Sequence, residues 1–510
     1  MKRFSLLYLF LILTISLFAQ SKQLDKVATY CNNHASTILQ EYTEFLSIPN
    51  VASDEINIRK NAAFIVEMMK RRGISNVQLL EADTKGTPPA VYGEVNVKGA
   101  KTTLLFYAHY DGQPVNHAQW NKKLEPFAPK LLNASLQAEG NVIDVPTDNK
   151  FDPEWRIYAR GASDDKAGVF AALTAYDALI KSGGKPASNL KFIFEGEEEA
   201  GSGHLDEILK KNSALLKSDL LIICDGPVHQ TGRKQIVFGV RGDAHVTITV
   251  YASKRPLHSG HYGNWAPNPG LMLANLLTSM KVKDGRVTIK DFYDDVVPLT
   301  ETEKTALKQL PPIEQQMMAE LGIKEREMTN LNLSEAIMQP SLNINGMAAG
   351  NVGKMASNQI PTHAEAVLDL RLVLGNDWRR QQQKVIDHVK LQGYYVIDRE
   401  PTDDERAKYG KIAKVIAEPG GYNAQRTSMD LPVAAKVIEA VKLTTPDGVV
   451  LQPSSGGSLP LYLFKQYLDA NTITVPIANH DNNQHAENEN IRLGNLFEGF
   501  KTIASLMLIR

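Results

Sequence analysis

Apolar and polar positions follow two styles along this chain. In the first half, short continuous apolar runs, "TTLLFYAH", "LKFIF" and "DLLIIC", alternate with stretches whose apolar residues recur at helical spacing. "ASTILQEYTEFLSIPN" places Ile38, Tyr42, Phe45 and Leu46 on one face and stops before Pro49. "NAAFIVEMMKRRG" is closed by Gly73. "GASDDKAGVFAALTAYDALIKSGG" carries Val169, Leu173, Tyr176 and Ile180 on one face and ends at Gly183-Gly184. Strand-like runs "NVQLLE" and "AVYGEV" precede this section, and a helix is predicted at "HLDEILKKNSALL". Buried strands alternating with helices predict an α/β domain with a mostly parallel central sheet.

The style changes after Gly242. "AHVTITVYA" alternates apolar and polar residues, as a half-exposed strand does. A helix follows at "NPGLMLANLLTSM", then a long polar helical section to about Met338. Strands "SLNINGM" and "HAEAVLDLRLV", helix "DWRRQQQKVIDHVKLQG" and strand "YYVIDRE" complete the order of a ferredoxin-like α+β unit. The tail returns to the first style, with helices "DLPVAAKVIEAVKL" and "LPLYLFKQYL", strand "TITVPI" and a last helix. The expected organisation is an α/β domain over 20–240 and 425–510, interrupted by an α+β insert over 241–424.

Composition refines this picture. The chain has 510 residues, 43% hydrophobic and 22% charged, with a formal net charge of −1. That is globular composition at a two-domain length. No basic excess points to nucleic acid. Lys2 and Arg3, an apolar run from Phe4 to Phe18 and then Ala19-Gln20 have the layout of a signal peptide over residues 1–19. The run is short for a membrane span, which takes about 20 apolar residues, with an uncleaved anchor as the alternative. An exported protein, periplasmic or secreted, with no stable span after cleavage is the expectation. Cys31 and Cys224 are the two cysteines. The fold therefore depends on its core, not on a disulfide framework, and whether the two pair stays open.

The chemistry gathers at the predicted strand ends. The first run delivers His109 and Asp111, and the loop before the next helix delivers Asp164. "FEGEEEAGSGH" delivers Glu197, Glu198 and Glu199; the next run ends at Asp225; the loop after "TITVPI" carries His485. Each has an ordinary reading: a satisfied histidine, an N-cap aspartate, a solvated glutamate run, a turn aspartate. Five at successive strand ends are a much rarer coincidence. In α/β sheets ligands bind beyond those ends. Mixed imidazole and carboxylate donors without thiolate suit zinc, cobalt or manganese, and a shared carboxylate suits a two-metal hydrolytic site.

The order and spacing of these motifs resemble peptidase family M20. "AHYDGQP" looks like its His-x-Asp-x-x-Pro segment, "GASDDKAG" like its Gly-x-x-Asp-Asp-Lys-Gly segment and "EEAGS" like its Glu-Glu-x-Gly-Ser. "VRGDAHVTITV" and "LHSGHYG" look like parts of its lid. The resemblance implies a zinc-peptidase-like catalytic domain with a ferredoxin-like lid and dimerisation domain. It implies that Asp164 bridges two metals, with His109 and Asp225 on one and Glu199 and His485 on the other. Glu198 would be the general base, Asp111 would hold His109 by its other ring nitrogen, and the Asp164-Asp165 bond would be cis.

For substrate, the resemblance implies that Arg371 pairs with a carboxylate and that Asn358 and Ser458 line the substrate site. His258 would reach the site of a neighbouring subunit in a homodimer. Dipeptidases of this type carry a glutamate before Gly-Gly-Ser; here the residue is Ser455. The implied activity is hydrolysis of dipeptides or short peptides with a free C-terminal carboxylate. It would use a water activated by two divalent ions, zinc first, and the glutamate base. The alternatives are an N-acyl-amino-acid deacylase and a non-catalytic peptide-binding relative.

Overall fold

The computed structural model describes residues 19–457 and 460–510. The signal-peptide reading of residues 1–19 and the position of Ser458 therefore fall outside the described residues, Ala19 excepted. From residue 19 to 33 the chain is helical, and Leu24, Val27 and Cys31 are buried in the main core. Among the described residues, no helix is long and apolar enough to cross a membrane. Cys31 and Cys224 are both buried and free.

An eight-stranded sheet forms the body. Its order is Ser75–Leu80, Ala90–Val95, Asn189–Glu195, Thr103–His109, Leu220–Ile223, Thr472–Thr474, Gln235–Val237 and Val450–Gln452. The four strands from Asn189–Glu195 to Thr472–Thr474 are mutually parallel. The centre of the sheet is parallel, as expected, and antiparallel pairs on either side of it make the whole sheet mixed. Ser75–Leu80 and Ala90–Val95 are joined by too short a link for a parallel crossover, so they add antiparallel at the edge.

The central strands are buried because they are covered on both faces. The helix Lys166–Lys181 has its first ten residues buried and packs on the C-terminal helix Leu493–Met507. Phe106, Phe192 and Phe194 point into that layer, while Tyr107, Ile193 and Leu221 point to the other, against Phe464 and Leu209. Alternating residues of one strand thus serve two cores, which is why these strands read as continuous apolar runs.

A five-stranded sheet has its own core. Its order is Ser341–Ala348, His363–Leu372, Gly242–Tyr251, Ile412–Ala417 and Tyr395–Ile397. The helices Pro269–Met280 and Trp378–Leu391 cover one face with Leu273, Leu276, Val385 and Val389. The long polar helical section expected up to Met338 is instead three short helices, Glu301–Lys308, Glu314–Glu320 and Leu333–Ala336. Thr300 and Asn332 each start a new helix with a capping box, and Pro311-Pro312 separates the first two.

The helix Glu301–Lys308 crosses to the body, where Ala306 joins the main core beside Met429. Glu303 Oε1 lies 3.0 Å from Arg426 Nε, both side chains buried. Breaking a buried pair leaves an uncompensated charge. Glu303→Gln is expected to lower unfolding stability by roughly 3–5 kcal/mol. The double change Glu303→Met with Arg426→Met should cost much less, as read by urea denaturation of both variants.

Candidate metal centre

The parallel register brings the polar strand ends together. His109 pairs with Glu195 and Tyr107 with Ile223, so the chain leaves all three strands at one level. After Glu195 a Cβ at position 196 would run into the Tyr110 hydroxyl, so Gly196 lets the backbone pass. One 3-10 turn, Glu198–Ala200, follows, and Gly201 closes it at φ +90°.

The four glutamates then separate by environment. Glu195 is buried and accepts from the Tyr107 hydroxyl at 2.6 Å; burial pushes it up to about 7. Glu197 faces His204, with Nδ1 at 3.0 Å. Glu198 and Glu199 reach the centre, and both of their backbone N–H groups donate to Asp111, at 3.0 and 2.9 Å. The same carboxylate lies 3.3 Å from His109 Nδ1. Asp111 thus ties the histidine to the glutamate turn.

Two donor groups overlap at one residue. His109, Asp164 and Asp225 form the first, and Asp164, Glu199 and His485 the second. His109 Nε2 is 3.2 Å from Asp164 Oδ1 and 3.9 Å from Asp225 Oδ2. His485 Nε2 is 3.0 Å from Asp164 Oδ2 and 3.2 Å from Glu199 Oε2. Glu198 Oε2 stands 3.8 Å from His109 Nε2. His485 has 55% of its side chain exposed and His109 only 1%, so the second group opens to solvent.

The electrostatics show what this cluster lacks. Burial raises Glu198 well above the usual carboxylate range, Glu199 up to about 7 and Asp225 up to about 6. For Asp164 burial pulls upward, yet the adjacent His109 and His485 hold it low. His485 is raised to about 9, first by Asp164. For His109 burial pulls downward, but Asp111 and Asp164 lift it well above its ordinary value. Four carboxylates compete here for two imidazoles. Asp164 Oδ2 is buried without a hydrogen bond of acceptable geometry. This donor set, hard oxygens and imidazoles about one shared carboxylate, fits two divalent cations.

A brace for Asp164 was not anticipated from the sequence. Glu489 is fully buried and accepts from the backbone N–H of Gly161, Ser163 and Asp164 at 2.9, 2.8 and 3.0 Å. It also meets Arg160 Nη1 at 2.8 Å. The following residue, Asp165, caps the helix Lys166–Lys181 through Gly168 N–H at 3.0 Å. The Asp164-Asp165 bond is cis, as expected. Gln113 Nε2 donates to Glu199 Oε2 at 2.7 Å, a further unforeseen partner. Glu489 and Gln113 each sit in polar stretches that read as solvated loop, so only their register with Asp164 and Glu199 would have marked them.

Three further expected residues, His258, Asn358 and Arg371, lie in the segment 241–424 and belong to neither donor group. His258 is exposed, on a short strand paired with Gln359, and its Nδ1 accepts from Gly260 N–H at 3.0 Å. Asn358 is exposed beside it, its carbonyl accepting from Ser259. Arg371 Nε lies 3.2 Å from Asp369 and 3.6 Å from Asp243. With His245, these two acids form a third close group, one already served by the guanidinium.

Fold and site together define a di-metal hydrolase. The chain belongs to peptidase family M20/M25/M40, whose family model matches residues 105–509. It is 26% identical over 489 residues to the Cys-Gly metallodipeptidase DUG1 of Candida albicans, covering 92% of this chain and 93% of that protein. The M20 family metallo-carboxypeptidase Sso-CP2 of Sulfolobus solfataricus superposes with a TM-score of 0.71 at 29% identity, over 92% of this chain and 98% of that one. The dipeptidase Dug1p of Saccharomyces cerevisiae gives 0.68 at 23%, over 95% and 98%. The chain is therefore an M20-type metallohydrolase, not a metal-free binding relative.

The expectation of export is corrected by the same comparison. The Cys-Gly dipeptidase relatives that match this chain nearly end to end are cytoplasmic enzymes, not periplasmic or secreted ones. The expectation rests on Lys2 and Arg3, the apolar run and Ala19-Gln20, a layout that is not by itself an address.

If Glu489 positions Asp164, Glu489→Gln should fold yet bind metal about 10–100-fold more weakly. Calorimetric titration of the stripped protein with Zn2+ or Co2+ checks this. Unchanged affinity would make the brace merely structural.

Proposed function

We propose that this enzyme hydrolyses the amide bond of dipeptides or short peptides that end in a free carboxylate. The observation that carries the reading is the position of Glu198, its Oε2 3.8 Å from His109 Nε2 of the first donor group yet a member of neither group. Two divalent ions, zinc in this reading, would be held by His109 and Asp225 and by Glu199 and His485, with Asp164 shared. They would polarise the scissile carbonyl and acidify a water. Glu198 takes the proton of the attacking water and returns it to the leaving amine. Burial favours its protonated form, so the group can hold that proton between the two steps. Asp111 and Glu489 keep His109 and Asp164 in place.

In this reading 241–424 is a ferredoxin-like lid and 20–240 with 425–510 the catalytic domain. The separate cores and the strand order of the second sheet support it. Arg371, whose Nε lies beside Asp369 and Asp243, pairs with the substrate carboxylate in this reading, with Asn358 and Ser458 near the rest of the substrate. His258 serves the site of a second copy. An unpaired edge strand, Ser341–Ala348, with Ile344 and Met347 about half exposed, supports a lid-to-lid homodimer. Ser455 supports a second reading, N-acyl-amino-acid hydrolysis, because no acid stands there to meet a free amine.

Glu198→Gln should keep its metal and lose turnover by about 10²–10⁴-fold; metal analysis with a dipeptide assay checks it, and near-full activity would refute the base assignment. His258→Ala subunits mixed with Glu198→Gln subunits should regain activity that neither homodimer has. Sedimentation confirming mixed dimers without regained turnover would refute the shared site.

A further inference from the structure

A cavity of 440 Å³ opens between the segment 314–337 and the start of the edge strand Ser341–Ala348. Met317, Met318, Leu321, Ile323, Leu331 and Ile337 form its apolar wall. Its volume lies within the usual range of small-molecule pockets, roughly 300–1,000 Å³. Leu321 and Ile323 are 67% and 45% exposed, so part of this apolar surface faces solvent.

Most charges around the cavity are matched. Lys281 Nζ lies 2.6 Å from Glu327, and Arg326 Nη1 lies 3.0 Å from Glu314. Glu325 is exposed. Arg241 differs. It lines the cavity, is only 7% exposed, and has no carboxylate at ion-pair distance among the described residues. Its Nη2 donates to the carbonyl oxygens of Gln339 at 2.8 Å and Arg371 at 3.3 Å, and to Ser341 Oγ at 2.9 Å. Its Nε is buried with no hydrogen-bond partner. Burial, and then the nearby Arg371, push the guanidinium down to about 10, with Asp369 pulling the other way without restoring it. A buried cation facing neutral oxygens is under-compensated, and an anion in the cavity would correct that.

We propose that this cavity binds a medium-chain carboxylate, with the acyl chain along the methionine-rich wall and the carboxylate on Arg241. Unbranched methionine side chains adapt to a flexible chain, and a guanidinium matches a carboxylate in shape and charge. The site lies apart from the metal centre and does not depend on the substrate reading above. It meets the Arg371 strand through that residue's carbonyl and through Ser341, which pairs with Arg371 across the sheet.

The test is calorimetric titration of the full-length, metal-loaded protein with decanoate and, separately, decanol. Decanoate should saturate one site per chain, and decanol should bind roughly tenfold or more weakly. Arg241→Gln should bring decanoate down to the level of decanol. Because Arg241 also links lid strands, Ala336→Trp provides an independent variant: it fills the cavity, leaves the guanidinium in place, and should abolish binding of both. Equal binding of decanoate and decanol, unchanged binding in Ala336→Trp, or no saturable binding because a second copy already covers the wall would each overturn the proposal.

Discussion

The structure depends on one electrostatic constraint: four carboxylates and two imidazoles meet around Asp164 in a largely buried cleft. Burying a carboxylate without compensation is costly, and nearby carboxylates add to that cost. Burial raises Glu198, Glu199 and Asp225, which shows that the protein's own groups do not neutralise them. The cluster is tolerable with protons or with cations. A rigid sheet holds it, and the donors are the types that divalent ions select.

The surrounding fold can be read as a response to that constraint. The parallel register sets three strand ends level. Asp111 ties the histidine strand to the glutamate turn, and Glu489 gathers three backbone N–H groups behind Asp164. These two acids are satisfied by hydrogen bonds, so they position ligands without competing as strongly for cations. Division of labour among the acids follows from what each one faces. The same holds within "FEGEEEAGSGH": Tyr107 occupies Glu195 and His204 occupies Glu197, which leaves Glu198 and Glu199 for the centre.

Much of this was legible in the sequence because the central strands are covered on both faces and so read as continuous apolar runs with polar residues at their ends. His109, Glu199 and Asp225 stand out for that reason, while Asp164 and His485 lie in loops and gain weight from the order and spacing of the motifs around them. Glu489 did not, because a glutamate between two asparagines reads as solvated loop until the fold buries it beside Arg160. The polar section before Met338 reads as helical, but composition carries no information on where capping boxes restart the chain. The runs at Ser75–Leu80 and Ala90–Val95 read as strands, but such a run does not reveal its direction, and both are antiparallel. Lys2 and Arg3, an apolar run and Ala19-Gln20 have the layout of an export signal, and the kinship of the whole chain overrules that reading.

The central claim is that Asp164 is shared by two cations, and metal stoichiometry tests it most directly. The stripped protein titrated with Zn2+ or Co2+ should bind two equivalents per chain. Asp164→Asn should weaken both, since one carboxylate serves both positions. A single equivalent in the native sequence, or two undiminished equivalents in Asp164→Asn, would contradict the account.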